Sequence, residues 1–279
     1  MGVVSMYVFN FSNIGFRHIN GGTVLQDYSA SYVDNERTII TCADGHGGKM
    51  YIRSNTGSKF ASEATINVLK RINKNDIIKK KREITTTSIR LSILCEWNSL
   101  VEQHLNNHKI RKKEIANLDD CQKFELSKRP RSAYGTTLTG AMTIGDKLIV
   151  VSIGDSECLG IKKGEIVTIF NNDDEPVGNV TYSMCQEDAF NHLKVSIMDI
   201  KELDGVLLCT DGLSAPYQSY DNLNESFIKP TVSRLKLDND YSKIRKKIKS
   251  IAEKEGTGDD VTLSFMLFDH LKVKYYRRN

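Results

Sequence analysis

The hydrophobic period of this 279-residue chain changes four times, and few folds accommodate that change. The stretch "TIITCA" at 38–43 is apolar and β-branched, and reads as a strand. From Phe60 onward, Ala61, Ala64, Val68, Leu69 and Ile72 recur at helical spacing. Ile89, Ile93, Trp97, Leu100, Val101, His104 and Leu105 form a second, stronger helical stripe. Strands then return. "YGTTLTGAMTIGDKLIVVSIGD" predicts two of them around a tight turn at Gly145-Asp146, and "GIKKGEIVTIF" predicts a hairpin around Lys163-Gly164. "GVLLCTDG" and "DDVTLSFMLF" read as further buried strands. Tyr241, Ile244, Ile248, Ile251 and Ala252 make one more amphipathic helix between them. Helices set between two groups of largely antiparallel strands predict a single α+β domain over 1–279, a β-sandwich flanked by helices.

The polar stretches "NKNDIIKKKREITTT" and "NNHKIRKKEIANLDDCQKFELSKRPRS" read as solvated helix ends and connecting loops rather than linkers. Six scattered cysteines, with no CxxC pair, argue against a zinc ribbon and fit a reducing cytoplasm. The start "MGVVSMYVFNFSN" lacks a basic region and a long apolar core, so no signal peptide is expected. Its Met-Gly opening carries Met6 where N-myristoylation wants Ser or Thr, and a first strand explains the same residues. No apolar run approaches the roughly 18 residues of a membrane span. A net charge of +4 does not imply nucleic-acid binding.

One oddity repeats. Apolar strands border an acid beside glycine at Asp44 ("TCADGHGG"), Asp155 ("VVSIGDSE"), Asp211 ("LLCTDGLS") and Asp259 ("GTGDDVTL"). A single Asp-Gly is an ordinary turn. Sheets gather strand ends at one edge, however, and several carboxylates crowded there repel one another unless a cation sits among them. Hard oxygen ligands of this kind suit Mg²⁺ or Mn²⁺.

Taken in order, "DGHGG", "YGTTLTGAMTIGDKLIVVSIGDSE", "LLCTDGL" and "GDDVTL" resemble the motifs of the metal-dependent serine/threonine protein phosphatases of the 2C class. The resemblance runs from about Gly15 to Phe268. "GFRHINGGTVLQDYSA" and "PVGNVTYSMCQEDAFNHLKV" resemble a bacterial branch of that class. It implies a β-sandwich with helices on both outer faces and two Mn²⁺ or Mg²⁺ ions at one edge. Asp44 would bridge both ions and the Gly45 carbonyl would add a ligand to the first. Asp211 and Asp259 would hold the second, and Asp155 would hold a loosely bound third. Asp27 would bind metal-bound water. Arg17 would capture phosphate, with His18 as the alternative. Two positions depart from the family: Gln26 stands where Glu is usual, and Asp260 where Asn is usual.

The implied chemistry needs no catalytic serine or cysteine. Two metals acidify a water and neutralise the phosphate dianion. The leaving alkoxide needs a proton, and His46, two residues after Asp44, is placed to supply it. The expected partners are a phosphorylated protein and a cognate kinase. A monomer is expected, with no nucleic acid and no membrane. Rivals are an inactive relative that only binds phosphoproteins, a nucleic-acid binder using the lysines at 70–82 and 109–113, and a two-metal phosphodiesterase. The intact acids oppose the first. The absence of interleaved aromatics opposes the second.

Overall fold

The computed structural model describes residues 7–79, 82–170, 181–238 and 240–268. Met1–Met6, with the Met-Gly opening, lie outside them. So do Lys80 and Lys81 of the lysine-rich stretch and Pro176–Val180 of the bacterial-type segment.

Among the described residues, ten strands form two five-stranded sheets, every pair antiparallel. In chain order they are β1 (Tyr7–Asn13), β2 (Tyr28–Val33), β3 (Arg37–Ala43), β4 (Leu138–Ile144), β5 (Lys147–Ile153), β6 (Glu157–Lys162), β7 (Glu165–Thr168), β8 (Lys194–Asp199), β9 (Gly205–Cys209) and β10 (Val261–Leu267). One sheet runs β1-β10-β9-β6-β7 and the other β2-β3-β4-β5-β8. The first and last strands are therefore neighbours, with Tyr7 opposite Leu267 and Asn13 opposite Val261.

The central strands are apolar on both faces because both faces are covered. Along β3, Ile40 and Cys42 point into the space between the sheets, and Ile39 and Ala43 point the other way. Along β9, Val206 and Leu208 point inward, while Leu207 and Cys209 point outward. The inter-sheet layer combines Ile40, Ala141, Leu148 and Val150 with Val206, Leu208 and Met266. Ser264 Oγ crosses the layer to donate to the Thr41 carbonyl at 2.8 Å. The outer face of the β3 sheet packs on the helices Ser54–Lys70 and Arg82–Asn107, through residues such as Ala61, Ile93 and Trp97. The outer face of the β9 sheet packs on Ile244 and Ile248 of the helix Ser242–Ser250. Four layers, helix–sheet–sheet–helix, follow from a two-residue apolar alternation on each sheet and a helical stripe opposite each outer face.

Two polar stretches contain more than connections. A short helix, Lys74–Lys79, precedes the long one, which begins at Arg82. The second stretch holds the helix Asp120–Lys128, closed by a reciprocal Asp119–Gln122 capping box, and a 3₁₀ turn at Pro130–Tyr134.

Candidate active site

Four of the sequence-selected acids stand where strands end at one edge of the sandwich. Asp44 follows β3 directly. Asp155 lies just past β5, Asp211 just past β9, and Asp259 just before β10. β3 and β5 flank β4 in one sheet, and β9 pairs with β10 in the other. Antiparallel pairing brings the exit of each first strand to the same end as the entry of its neighbour, so both sheets deliver acids to one place.

The electrostatics record the crowding. The pKa of Asp44 lies well above the usual carboxylate range, through burial and then through repulsion by Asp27, Asp211, Asp259 and Asp155. Asp27 is raised by burial and by the charge of Asp260, with Asp259 adding to it. The packed inner edge of Asp211 and the charges of Asp259 and Asp155 push its pKa up to about 6, against a hydrogen bond from Asp44. The charged neighbours that shift these three acids most are other carboxylates. A divalent cation fits this donor set. Such an ion would relieve the repulsion, and the carboxylates would offer it hard oxygen ligands.

Local bonds fix Asp44, Asp155 and Asp27. The Asp44 N–H donates to Thr137 Oγ1 at 3.0 Å, and the same hydroxyl lies 2.7 Å from Ser156 Oγ, next to Asp155. Thr137 thus ties the Asp44 loop to the Asp155 loop. The Asp44 carbonyl accepts from Thr136 Oγ1 and from the Thr137 N–H, both at 2.8 Å. Asp155 accepts from Thr181 Oγ1 at 2.5 Å. Thr210 accepts the Thr262 N–H at 3.1 Å, so its own proton points to Asp27 Oδ2 at 2.8 Å. None of these threonine and serine partners was selected from the sequence, although "TT" and "TD" stand inside the quoted motifs.

The two acids of "GDD" have different surroundings. Asp260 is 2% exposed. Its Oδ1 accepts from the Gly15 N–H at 2.9 Å and lies 2.8 Å from His18 Nδ1. Its Oδ2 accepts from the Gln26 N–H at 2.6 Å and the Asp27 N–H at 3.4 Å. Asp259 is exposed and lies 3.6 Å from His18 Nε2. Among the described residues, His18, Asp259 and Asp260 form the trio whose ligand atoms all lie within 4.8 Å of one another. Asp260 is already saturated by N–H donors, which leaves Asp259 as the open carboxylate of the pair. Both nitrogens of His18 face these acids, Nδ1 at 2.8 Å from Asp260 and Nε2 at 3.6 Å from Asp259. Arg17 is exposed beside the same loop, its N–H on the Gly258 carbonyl at 2.9 Å. No ion pair engages it among the described residues.

Glycine allows both positive φ and close backbone approach, and among the described residues none of Gly45, Gly47 and Gly48 adopts positive φ. Gly45 is required by close approach instead: a Cβ there would meet the Gln26 carbonyl at 2.5 Å and Ser54 backbone at 2.9 Å. Gln26 is engaged with that same wall, its Nε2 donating to Ser54 Oγ at 2.9 Å. His46 is largely buried. Burial lowers its pKa below the ordinary histidine value, while Asp155 pulls the other way. Its ring packs on Tyr51, with centroids 4.8 Å apart.

Comparison with known proteins places the fold and the family. A family profile described as protein phosphatase 2C matches residues 14–250. Comparison with curated protein sequences finds no match. Among solved structures, a bacterial serine phosphatase is similar at 15% identity with a TM-score of 0.61, covering 95% of this chain and 98% of the other. The catalytic domain of the serine/threonine phosphatase PstP, solved in complex with two manganese ions, is 18% identical with a TM-score of 0.56, covering 94% and 98%. PppA, a key regulatory component of T6SS in Pseudomonas aeruginosa, is 17% identical with a TM-score of 0.56, covering 95% and 99%. These structures share the two-sheet fold, and the profile spans most of the sequence: this chain belongs to the protein phosphatase 2C family of serine/threonine phosphatases.

Proposed function

We propose that the chain, as one catalytic domain, hydrolyses phosphoserine and phosphothreonine in proteins with the help of two Mn²⁺ or Mg²⁺ ions. The observation that carries this reading is the meeting of Asp44, Asp211, Asp259, Asp155 and Asp27, in which carboxylates are one another's charged neighbours. Asp44, the Gly45 carbonyl, Asp211 and Asp259 would hold the two ions, and Asp155 a weaker third. When bound, divalent cations neutralise the phosphate dianion and acidify an attacking water.

The protein's own groups do the rest. Asp27, oriented by the Thr210 hydroxyl, presents its other oxygen as an acceptor for water. His46 donates a proton to the leaving seryl or threonyl oxygen as the phosphorus–oxygen bond breaks. Its lowered pKa makes it a stronger acid, and the dianionic phosphate entering beside it favours its charged form. Arg17, exposed next to the Asp259 loop, supplies the cation that draws the phosphate in. The partners are a phosphoprotein and the kinase that modifies it, met by a monomer in a reducing cytoplasm. No helix among the described residues is long and apolar enough to cross a membrane.

The test is substrate class. A phosphothreonine peptide and bis(para-nitrophenyl) phosphate are compared with Mn²⁺, with Mg²⁺ and with EDTA. Metal-dependent turnover of the peptide, well above that of the diester, is the expected result. Faster turnover of the diester would make the chain a phosphodiesterase.

A further inference from the structure

Behind His46 lies a buried polar chain with no part in the mechanism above. Arg53, 7% exposed, ends the loop that begins at Asp44. Its Nε and Nη2 donate to the two oxygens of Glu114 at 2.9 and 3.2 Å. Its Nη1 donates to the His108 carbonyl and to Tyr134 Oη, both at 2.7 Å. Tyr134 is fully buried, and its Oη lies 2.7 Å from His104 Nδ1. Arginine can only donate, so the phenol accepts from Arg53 and its own proton points to His104. In this arrangement His104 Nδ1 is the unprotonated nitrogen and accepts the phenol proton. The His104 ring stacks on His108 with centroids 4.4 Å apart and meets Phe60 edge-on.

The residue after Tyr134 is the wall on which His46 leans. The His46 N–H donates to the Gly135 carbonyl at 3.1 Å. A Cβ on Gly135 would lie 2.8 Å from His46 Cδ2 and 2.4 Å from Tyr51 Cδ1, so both rings rest directly on this backbone. The Arg53 N–H holds the same segment through the Ala133 carbonyl at 2.8 Å. We propose that Arg53, Tyr134 and His104 form a positioning relay that fixes the Tyr134–Gly135 wall and so aims the His46 ring at the leaving oxygen. The inference rests on the phosphatase reading for its catalytic consequence, and on the hydrogen bonds alone for its existence.

The relay has a direction, and therefore a pH sense. Burial, then His108 and Arg53, lower the His104 pKa below its ordinary value, while Glu114 opposes them. The imidazole is neutral at neutral pH and accepts the Tyr134 proton. Once protonated, Nδ1 becomes a second donor facing a phenol oxygen that already accepts from Arg53, and the phenol proton loses its acceptor. The relay therefore breaks on the acid side.

Four full-length proteins test it: wild type, Tyr134→Phe, His104→Leu and His104→Asn, whose amide oxygen can stand where Nδ1 does. Misplacing a reacting group by about 1 Å can cost about 100-fold. Tyr134→Phe and His104→Leu should lower kcat on a phosphothreonine peptide by at least about tenfold on that scale. KM should change little. On para-nitrophenyl phosphate, whose leaving group needs little protonation, the loss should be small. His104→Asn should restore most of the peptide activity and move its acid limb to lower pH. Equal losses on both substrates, or no loss on either, would overturn the relay. Histidine ¹H–¹⁵N spectra decide the same point without turnover. Wild-type His104 should carry its proton on Nε2, and Tyr134→Phe should shift the His46 ring signals. Unchanged His46 signals would overturn the relay even if the wild type proved inactive, whereas an inactive wild type with shifted signals would count against the phosphatase reading alone.

Discussion

The backbone N–H of Gln26 donates to Asp260 Oδ2 at 2.6 Å, although 234 residues separate the two. This bond joins the first motif of the chain to the last. It sets Asp27 beside Thr210 and turns the neighbouring Asp259 outward. Asp260→Ala would leave buried N–H groups without acceptors, at about 1–3 kcal/mol for each group left unmet. With the N–H groups of Gly15, Gln26 and Asp27 affected, urea denaturation should show a loss of about 3 kcal/mol or more. A variant as stable as wild type would show that these donors find other partners.

The acid cluster predicts an unusual stability profile for metal-free protein. Asp211 titrates near 6 in the fold and near 3.8 in a free chain, and Asp44 and Asp27 are raised in the same direction. Acids with raised folded pKa values contribute stability that is full below about pH 4 and is lost as pH rises through the folded value. The melting temperature of stripped protein should therefore fall between pH 4 and pH 7 relative to Asp211→Asn. Mn²⁺ should raise it strongly at pH 7 and weakly at pH 5. A melting temperature independent of pH and of metal, in both proteins, would mean that the acids do not interact.

Glu114 predicts the opposite sign. The Arg53 hydrogen bond, helped by Arg111, lowers its pKa from 4.5 to about 2. Its contribution is present above the unfolded value and is lost as pH falls through about 2. Glu114→Gln should lower the melting temperature at pH 7, and the gap to wild type should close toward pH 2. A gap that stays constant with pH would assign the effect to packing.

His46→Ala should lower kcat on a phosphoserine peptide by about 10²–10⁴-fold, the usual worth of a placed general acid. The loss on para-nitrophenyl phosphate should be far smaller. Equal losses would mean that the ring matters only for packing against Tyr51 and Gly135.

The central strands were legible because both faces of each are apolar, which sets them apart from surface strands. The acids were legible because glycine beside an aspartate at a strand end is a conspicuous pattern when it recurs. The helix Asp120–Lys128 was not, because Leu126 is its buried residue and Phe124 points to solvent, so no apolar stripe marks it. Its capping box, Asp119 with Gln122, was the available signal. The edge strands Tyr28–Val33 and Lys194–Asp199 are only part-buried and alternate weakly. The hydroxyl partners of the site were beyond reach for another reason. Thr210 meets Asp27 across 183 residues, and only the folded sheet brings them together.

Restoring the usual carboxylate, Gln26→Glu, should add a negative charge to a wall that already holds Asp27 and Asp260. Calorimetric titration should show tighter Mn²⁺ binding, and the metal-free protein should melt lower. Superimposable titrations would place the Gln26 side chain outside the influence of the metal site.

The most direct measurement is phosphate release from a phosphothreonine peptide by chelator-stripped protein across a Mn²⁺ titration, for wild type and for Asp44→Asn. The account predicts no turnover by stripped wild type, saturable recovery with Mn²⁺, and no recovery in Asp44→Asn although that variant folds. Full turnover by the stripped protein, or wild-type recovery in Asp44→Asn, would contradict the claim that these strand-end carboxylates form the catalytic centre.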